Sequence, residues 1–178
     1  MEIDDISRSI ARATLSNLQE EYPGKLSDRA IRGYNKRVPQ DIKLITESDL
    51  VSLLQFNGPV HFLCGGWECQ SMSMAGNRKG MDDERFLPFL DMVKILDFLQ
   101  AERHPQPLFL FENTWPGMPG QYPVIDKGAE LVESFLGAPI VMDAAGLGFA
   151  AHRVRLFWKN WCRPEILQSE IPTYILPM

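Results

Sequence analysis

The stretch Val60-His61-Phe62-Leu63-Cys64-Gly65-Gly66 decides the fold. Five mostly apolar residues run without a formal charge and stop at two glycines, the pattern of a short buried strand followed by a sharp turn. Downstream, Leu108 to Phe111 and Pro139 to Asp143 repeat the pattern, and Val154 to Trp158 forms a last strand after a Gly/Ala-rich turn. Between the strands, Leu87, Leu90, Val93 and Phe98 predict a helix over Phe86 to Gln100, and a second is expected near Asp126 to Phe135. Upstream, Ile6, Ile10, Ala13 and Leu18 mark one face of a helix from about Asp5 to Glu21, which Pro23-Gly24 ends. Ser27 caps a shorter helix through Tyr34, and Thr46 with Asp49 makes a capping box for a helix reaching Gln55. Strands alternating with helices argue for an α/β fold around a largely parallel central sheet.

The 178 residues, 45% hydrophobic and 23% charged, suit one globular domain rather than a disordered chain. No run of eighteen apolar residues exists, so no transmembrane helix is expected, and the acidic N-terminus lacks the pattern of a secretory signal. Three cysteines make no disulfide framework, which points to a reduced intracellular compartment. The net charge of −5 hides two basic stretches. One is Lys25 to Lys43, with Arg29, Arg32, Lys36 and Arg37; the other holds Arg153, Arg155, Lys159 and Arg163. Such stretches are more often solvated surface than nucleic-acid contacts.

In an open α/β sheet, ligands sit beyond the carboxyl ends of the strands. That rule selects Gly65 to Gln70, Glu112-Asn113 and Asp143 to His152. The polar loop from Gly65 to about Arg85 is long for a compact domain, as functional loops are. Cys69 follows the two glycines, where a thiol can be lifted clear of the sheet edge. Taken alone, a lone cysteine is more often a small buried hydrophobe, and Cys64, inside the strand, fits that description. Glu112 either caps the turn after its strand or faces a ligand. Arg153 and Arg155 fall on one strand face and repel unless salt bridges or an anion join them. No Cys-x-x-Cys or close His pair suggests a metal.

Taken together, these segments resemble the DNA (cytosine-5) methyltransferases. Gly65-Gly66-x-x-Cys69-Gln70, followed by Ser73, Ala75-Gly76, Lys79-Gly80 and Asp83-x-Arg85, is similar to the family's catalytic loop. Phe111-Glu112-Asn113 resembles its Glu-Asn-Val motif, with Thr114 for Val. Ala151-His152-Arg153-Val154-Arg155 resembles its Gln-x-Arg-x-Arg motif, closest to the version in animal de novo methyltransferases. Met1-Glu2-Ile3-Asp4 resembles the acidic strand end that holds the ribose of S-adenosylmethionine, and Gln40-Asp41-Ile42 the element beside its adenine. Glu68 stands where the family has proline.

The resemblance implies a Rossmann-like S-adenosylmethionine-dependent methyltransferase fold, with a mostly parallel sheet and helices on both faces. It implies a partial catalytic domain over residues 1–161, lacking the first strand-loop, and a tail over 162–178 where a target-recognition domain would begin. The activity implied is methyl transfer to carbon 5 of a flipped cytosine in DNA through a covalent Cys69 adduct. Glu112, Arg155 and Arg153 would assist, Glu2, Ile3, Asp41 and Ile42 would hold S-adenosylmethionine, and Gln70, Ser73 and Arg85 would touch the DNA. The missing parts imply a second methyltransferase polypeptide as partner, and in a eukaryote a nuclear location. The alternative is a non-catalytic regulatory partner of a complete DNA methyltransferase. A hydrolase with a cysteine nucleophile lacks a base, since His61 sits in the strand and His104 among prolines.

Overall fold

The computed structural model describes residues 5–25, 41–71, 79–101, 106–114 and 123–161. They belong to two compact units, Met1–Val60 and His61–Met178. In the first unit, helix α1 spans Asp5–Glu21, the bounds its apolar spacing predicts. Ile6 and Ile10 on that face remain exposed: periodicity makes the helix but does not name its partner. Helix α2, Glu47–Asn57, opens on the expected capping box, with Asp49 N–H donating to Thr46 Oγ1 and Thr46 N–H to Asp49 Oδ2. Leu50 and Leu54, one helical turn apart, are its buried residues. It closes on Gly58 at φ +82°, a conformation that glycine adopts without a Cβ clash. The helix expected from Ser27 to Tyr34 lies outside the described residues.

The second unit is built on strands β1 (Phe62–Gly66), β2 (Leu108–Thr114), β3 (Ile140–Asp143) and β4 (Val154–Lys159), in spatial order β1-β2-β4-β3. Helix α3 (Leu87–Ala101) links β1 to β2, and α4 (Pro123–Leu136) lies between β2 and β3. The fold is α/β, as the alternation of elements predicts. β1 and β2 are parallel, while β4 pairs antiparallel with both β2 and β3. Three strands thus share one direction, and the last strand is inserted against them, making the sheet mixed. A local pattern of apolar residues carries no information about that insertion.

β2 shows why one face is the core. Phe109, Phe111 and Asn113 are buried while Leu110, Glu112 and Thr114 between them are only partly so, the period of two of a strand covered on one side. Leu156 and Trp158 of β4 continue the buried face. Phe89 of α3 stacks at 4.8 Å on Trp67 and meets Phe135 of α4 edge-on at 6.2 Å, so both helices lie on this side. Trp67 in turn lies 5.4 Å from Trp158. Such aromatic pairs add to the apolar area they bury. Asn160 extends the ladder with its side chain, accepting from Phe109 N–H and donating to the Pro107 carbonyl, both at 2.9 Å.

Two expectations change at β1. The strand starts at Phe62 rather than Val60 and runs through both glycines, which pair with Phe111 and Glu112. It is also largely exposed, Cys64 included, and among the described residues it has a neighbouring strand on one side only. The glycines serve close approach rather than a turn. A Cβ on Gly66 would stand 2.9 Å from the Glu112 carbonyl oxygen, and one on Gly65 would stand 3.1 Å from Met92 Cε. A backbone oxygen cannot yield, whereas the end of a methionine can. Gly66→Ala is therefore expected to cost about 1–3 kcal/mol in urea unfolding and Gly65→Ala less than about 1 kcal/mol. Equal costs would contradict this packing.

Candidate active site

The carboxyl ends of β1 and β2 bring the chemistry-bearing residues together. Gly66 is the register partner of Glu112, and with no side chain there the Glu112 carboxylate lies over the end of β1. A Cβ at residue 66 would come within 3.3 Å of Glu112 Oε2. Glu112 lies within β2 and not at its end, so it caps no turn. Its Oε1 receives Arg155 Nε at 2.9 Å. Arg155 reaches it because β4 runs beside β2 with Arg155 opposite Thr114, one pleat along on the same face. Nη1 of Arg155 donates to the Val154 carbonyl at 2.8 Å and to Thr114 Oγ1 at 3.3 Å, which fixes the plane of the guanidinium. The Glu112 side chain stays 41% exposed, so the paired carboxylate remains open to a ligand.

Three residues beyond β1, Cys69 opens a short 3-10 turn, Cys69–Ser71, and is exposed. The peptide before it is held from the core: buried Asn113 donates from Nδ2 to the Trp67 carbonyl at 3.3 Å. The turn itself is held through its middle residue, Gln70, whose Oε1 accepts from Arg85 Nη1. Arg85 also donates from Nε at 2.8 Å and Nη2 at 2.7 Å to the two oxygens of Asp83. That fork raises the Arg85 guanidinium further above its usual range, with the Asp83 hydrogen bond as the main cause and the charges of Glu68 and Glu84 adding to it.

The two arginines of the third motif part company. Arg153 precedes β4 and is exposed, whereas Arg155 lies within the strand and turns to Glu112. The strand alternation expected to place both on one face therefore does not apply to Arg153. Its backbone N–H instead donates to Asp143 Oδ1 at 2.8 Å. In the first unit, Asp41 and Ile42 are both half-buried, and Asp41 caps a 3-10 turn by accepting from Lys43 N–H at 3.0 Å. Glu2, Ile3 and Ser73, and the tail from Cys162 to Met178, lie outside the described residues.

Sequence reasoning gave Asp143 no role, yet it organises the return from β3 to β4. Besides Arg153 N–H it accepts from Ala145 N–H at 3.2 Å, and its Oδ2 pairs with His152 Nδ1 at 2.7 Å. The available signal was an aspartate ending a strand before a turn, a position where Asp side chains take up loose backbone N–H groups. The His152 contact, and after it the Arg153 N–H, hold the Asp143 carboxyl below its ordinary 3.8. A carboxyl depressed in the folded state stabilises fully above its unfolded value, and that contribution is lost as pH falls through the folded one. Asp143→Asn should lower the urea midpoint at pH 7, and the gap to the parent chain should close as pH drops below about 3.8. A gap independent of pH would show that the charge of Asp143 is not what matters.

Comparison with known proteins bears on this arrangement. The model of the C-5 cytosine-specific DNA methylase family matches residues 24–123. The chain is 30% identical over 105 residues to the type II methyltransferase M.HpaII of Haemophilus parainfluenzae, covering 53% of this chain and 26% of that protein. It is 33% identical over 79 residues to the type II methyltransferase M.AluI of Cellulosimicrobium cellulans, covering 44% of this chain and 14% of that one. The chain thus spans about a quarter or less of the curated relatives it matches. Among solved structures, the S. pombe Dnmt2 methyltransferase aligns with a TM-score of 0.44 at 17% identity, over 93% of this chain and 55% of that one.

Proposed function

Because the chain belongs to the C-5 cytosine-specific DNA methylase family, we propose that it carries the nucleophile and the base-binding residues of a centre that methylates carbon 5 of cytosine in DNA. The observation that carries this reading is the Arg155–Glu112 pair at 2.9 Å over Gly66, on the strand next to the one that leads to Cys69. A half-exposed carboxylate clamped by a guanidinium suits a heterocycle with a ring nitrogen beside an exocyclic amine. Cytosine presents that edge at N3 and its amino group once the base has left the duplex stack.

The chemistry assigned to each residue follows from the poor nucleophilicity of carbon 5. The Cys69 thiolate adds to carbon 6, forming an S–C6 bond and moving the C5=C6 electron pair towards carbon 5. Glu112, carrying a proton, donates it to N3 and accepts from the exocyclic amine, which stabilises the negative charge that develops on the ring. Arg155 keeps that carboxylate in one orientation, and Thr114 Oγ1 and the Val154 carbonyl in turn keep Arg155. Once carbon 5 has taken the methyl group, its proton passes to solvent water and the thiolate leaves carbon 6, which restores the aromatic ring. S-Adenosylmethionine, when bound, supplies the electrophilic methyl group. Asp41 and Ile42 suit its adenine, since Asp41 offers a carboxylate acceptor to an amino group and Ile42 an apolar surface to a ring. Glu2 and Ile3 are assigned to its ribose on the motif they share with the family.

Transfer of tritium from methyl-labelled S-adenosylmethionine to duplex DNA tests the reading. Incorporation at carbon 5 is expected from the parent chain, none above background from Cys69→Ser, and a rate lower by about 10²–10⁴-fold from Glu112→Gln. Incorporation by Cys69→Ser at the parental rate would remove Cys69 as nucleophile. A parent chain that transfers no methyl group would favour the regulatory-partner reading.

A further inference from the structure

The chemistry above leaves unused the chain of contacts Gln70–Arg85–Asp83, which joins the turn holding Cys69 to the entrance of α3. We propose that Arg85 is a positioning residue: through Gln70 it fixes the Cys69–Ser71 turn against the body of the unit. The proposal rests on the reading of Cys69 as the nucleophile.

The fork that holds Arg85 is rigid for identifiable reasons. Asp83 is 6% exposed, and a buried carboxylate is retained only with partners that match its lone pairs. Arg85 supplies three of them, from its backbone N–H at 3.0 Å and from Nε and Nη2, the two-pronged geometry in which guanidinium and carboxylate bind each other most specifically. Asp83 also caps the 3-10 turn Glu84–Phe86. Phe86, 1% exposed, stacks at 5.3 Å on Phe89, the ring that packs on Trp67. The turn that carries Arg85 is therefore anchored through Phe86 in the same aromatic core that Trp67 joins. Nη1 projects from this platform to a side chain outside it, and its partner is the residue directly after Cys69.

Cys69 is thus approached from two sides. Asn113 secures the Trp67 carbonyl two residues before it, and Arg85 secures Gln70 one residue after it. Neither tether is supplied by the exposed turn itself. A nucleophile that must meet a ring carbon at bonding distance gains from such placement, because small misplacements of a reacting atom cost about 10²-fold in rate. Gln70 and Arg85 were expected from the sequence to touch the DNA. Their mutual contact gives them a role in holding the turn as well, and a lysine at position 85 could not reproduce the fork.

Hydrogen exchange of the full chain, read by mass spectrometry on the peptide spanning Cys69–Ser71, tests the proposal without requiring methyl transfer. Gln70→Ala and Arg85→Ala are each expected to speed exchange there by about tenfold, as local opening of a tethered segment does, with the β2 peptide unchanged. Gln70→Glu keeps an acceptor for Nη1 and is expected to retain the slow exchange of the parent chain. Unchanged exchange in Gln70→Ala, or failure of Gln70→Glu to rescue, would overturn the proposal. Loss of methyl transfer in Cys69→Ser reads the role of Cys69 separately. A parent chain inactive in that assay, with exchange behaving as expected, would sink the nucleophile and leave the tether standing.

Discussion

The contact on which the proposed centre depends is the 2.9 Å ion pair between Arg155 Nε and Glu112 Oε1. It requires three things of the fold at once. β4 must lie next to β2 and run against it, so that residues far apart in sequence become neighbours on one face. Residue 66 must lack a side chain, so that the carboxylate can lie over the end of β1. The return from β3 must deliver Arg155, and not Arg153, to the register opposite Thr114. An exposed ion pair contributes little to stability, about 0–1 kcal/mol. The value of this one lies in orientation, since it leaves a carboxylate fixed yet accessible.

Three acidic side chains in the unit illustrate how environment divides labour among chemically similar groups. Asp83 is buried and committed to Arg85, and Asp143 is committed to two backbone N–H groups and His152. Both are organisers of chain direction. Glu112 is held by Arg155 and remains partly open to solvent, the condition for meeting a ligand. The same division separates two of the three cysteines: Cys64 is a strand residue, while Cys69 begins a turn held on either side of it.

Much of the local structure was legible in the sequence. The apolar spacing of Ile6 to Leu18 defined α1, and Thr46 with Asp49 announced the start of α2, because both signals act within one or two helical turns. Cys69 and Glu112 were legible as candidates from their places at or after the ends of apolar runs, and Arg155 from its place on a strand. Legibility failed where contacts are long-range. Gly65-Gly66 read as a turn, yet they are strand residues whose missing side chains matter to Glu112 and Met92. Glu112 read as a strand end because four apolar residues precede it, whereas pairing with β4 carries β2 on to Thr114. Pairing with β2 decides the first point and the insertion of β4 between β2 and β3 the second, and no periodicity encodes either. Asp143 went unassigned for the same reason, since its partners lie up to ten residues ahead across a turn.

The measurement that bears most directly on the proposed centre is covalent capture. A DNA duplex containing 5-fluorocytosine blocks loss of the group at carbon 5, so an enzyme that works through a carbon 6 adduct stays attached. With S-adenosylmethionine present, the full chain is expected to yield a denaturation-resistant adduct whose modified peptide maps to Cys69. An adduct mapping to Cys64 or Cys162, or methyl transfer to ordinary cytosine with no adduct on the fluorinated duplex, would contradict Cys69 as the nucleophile.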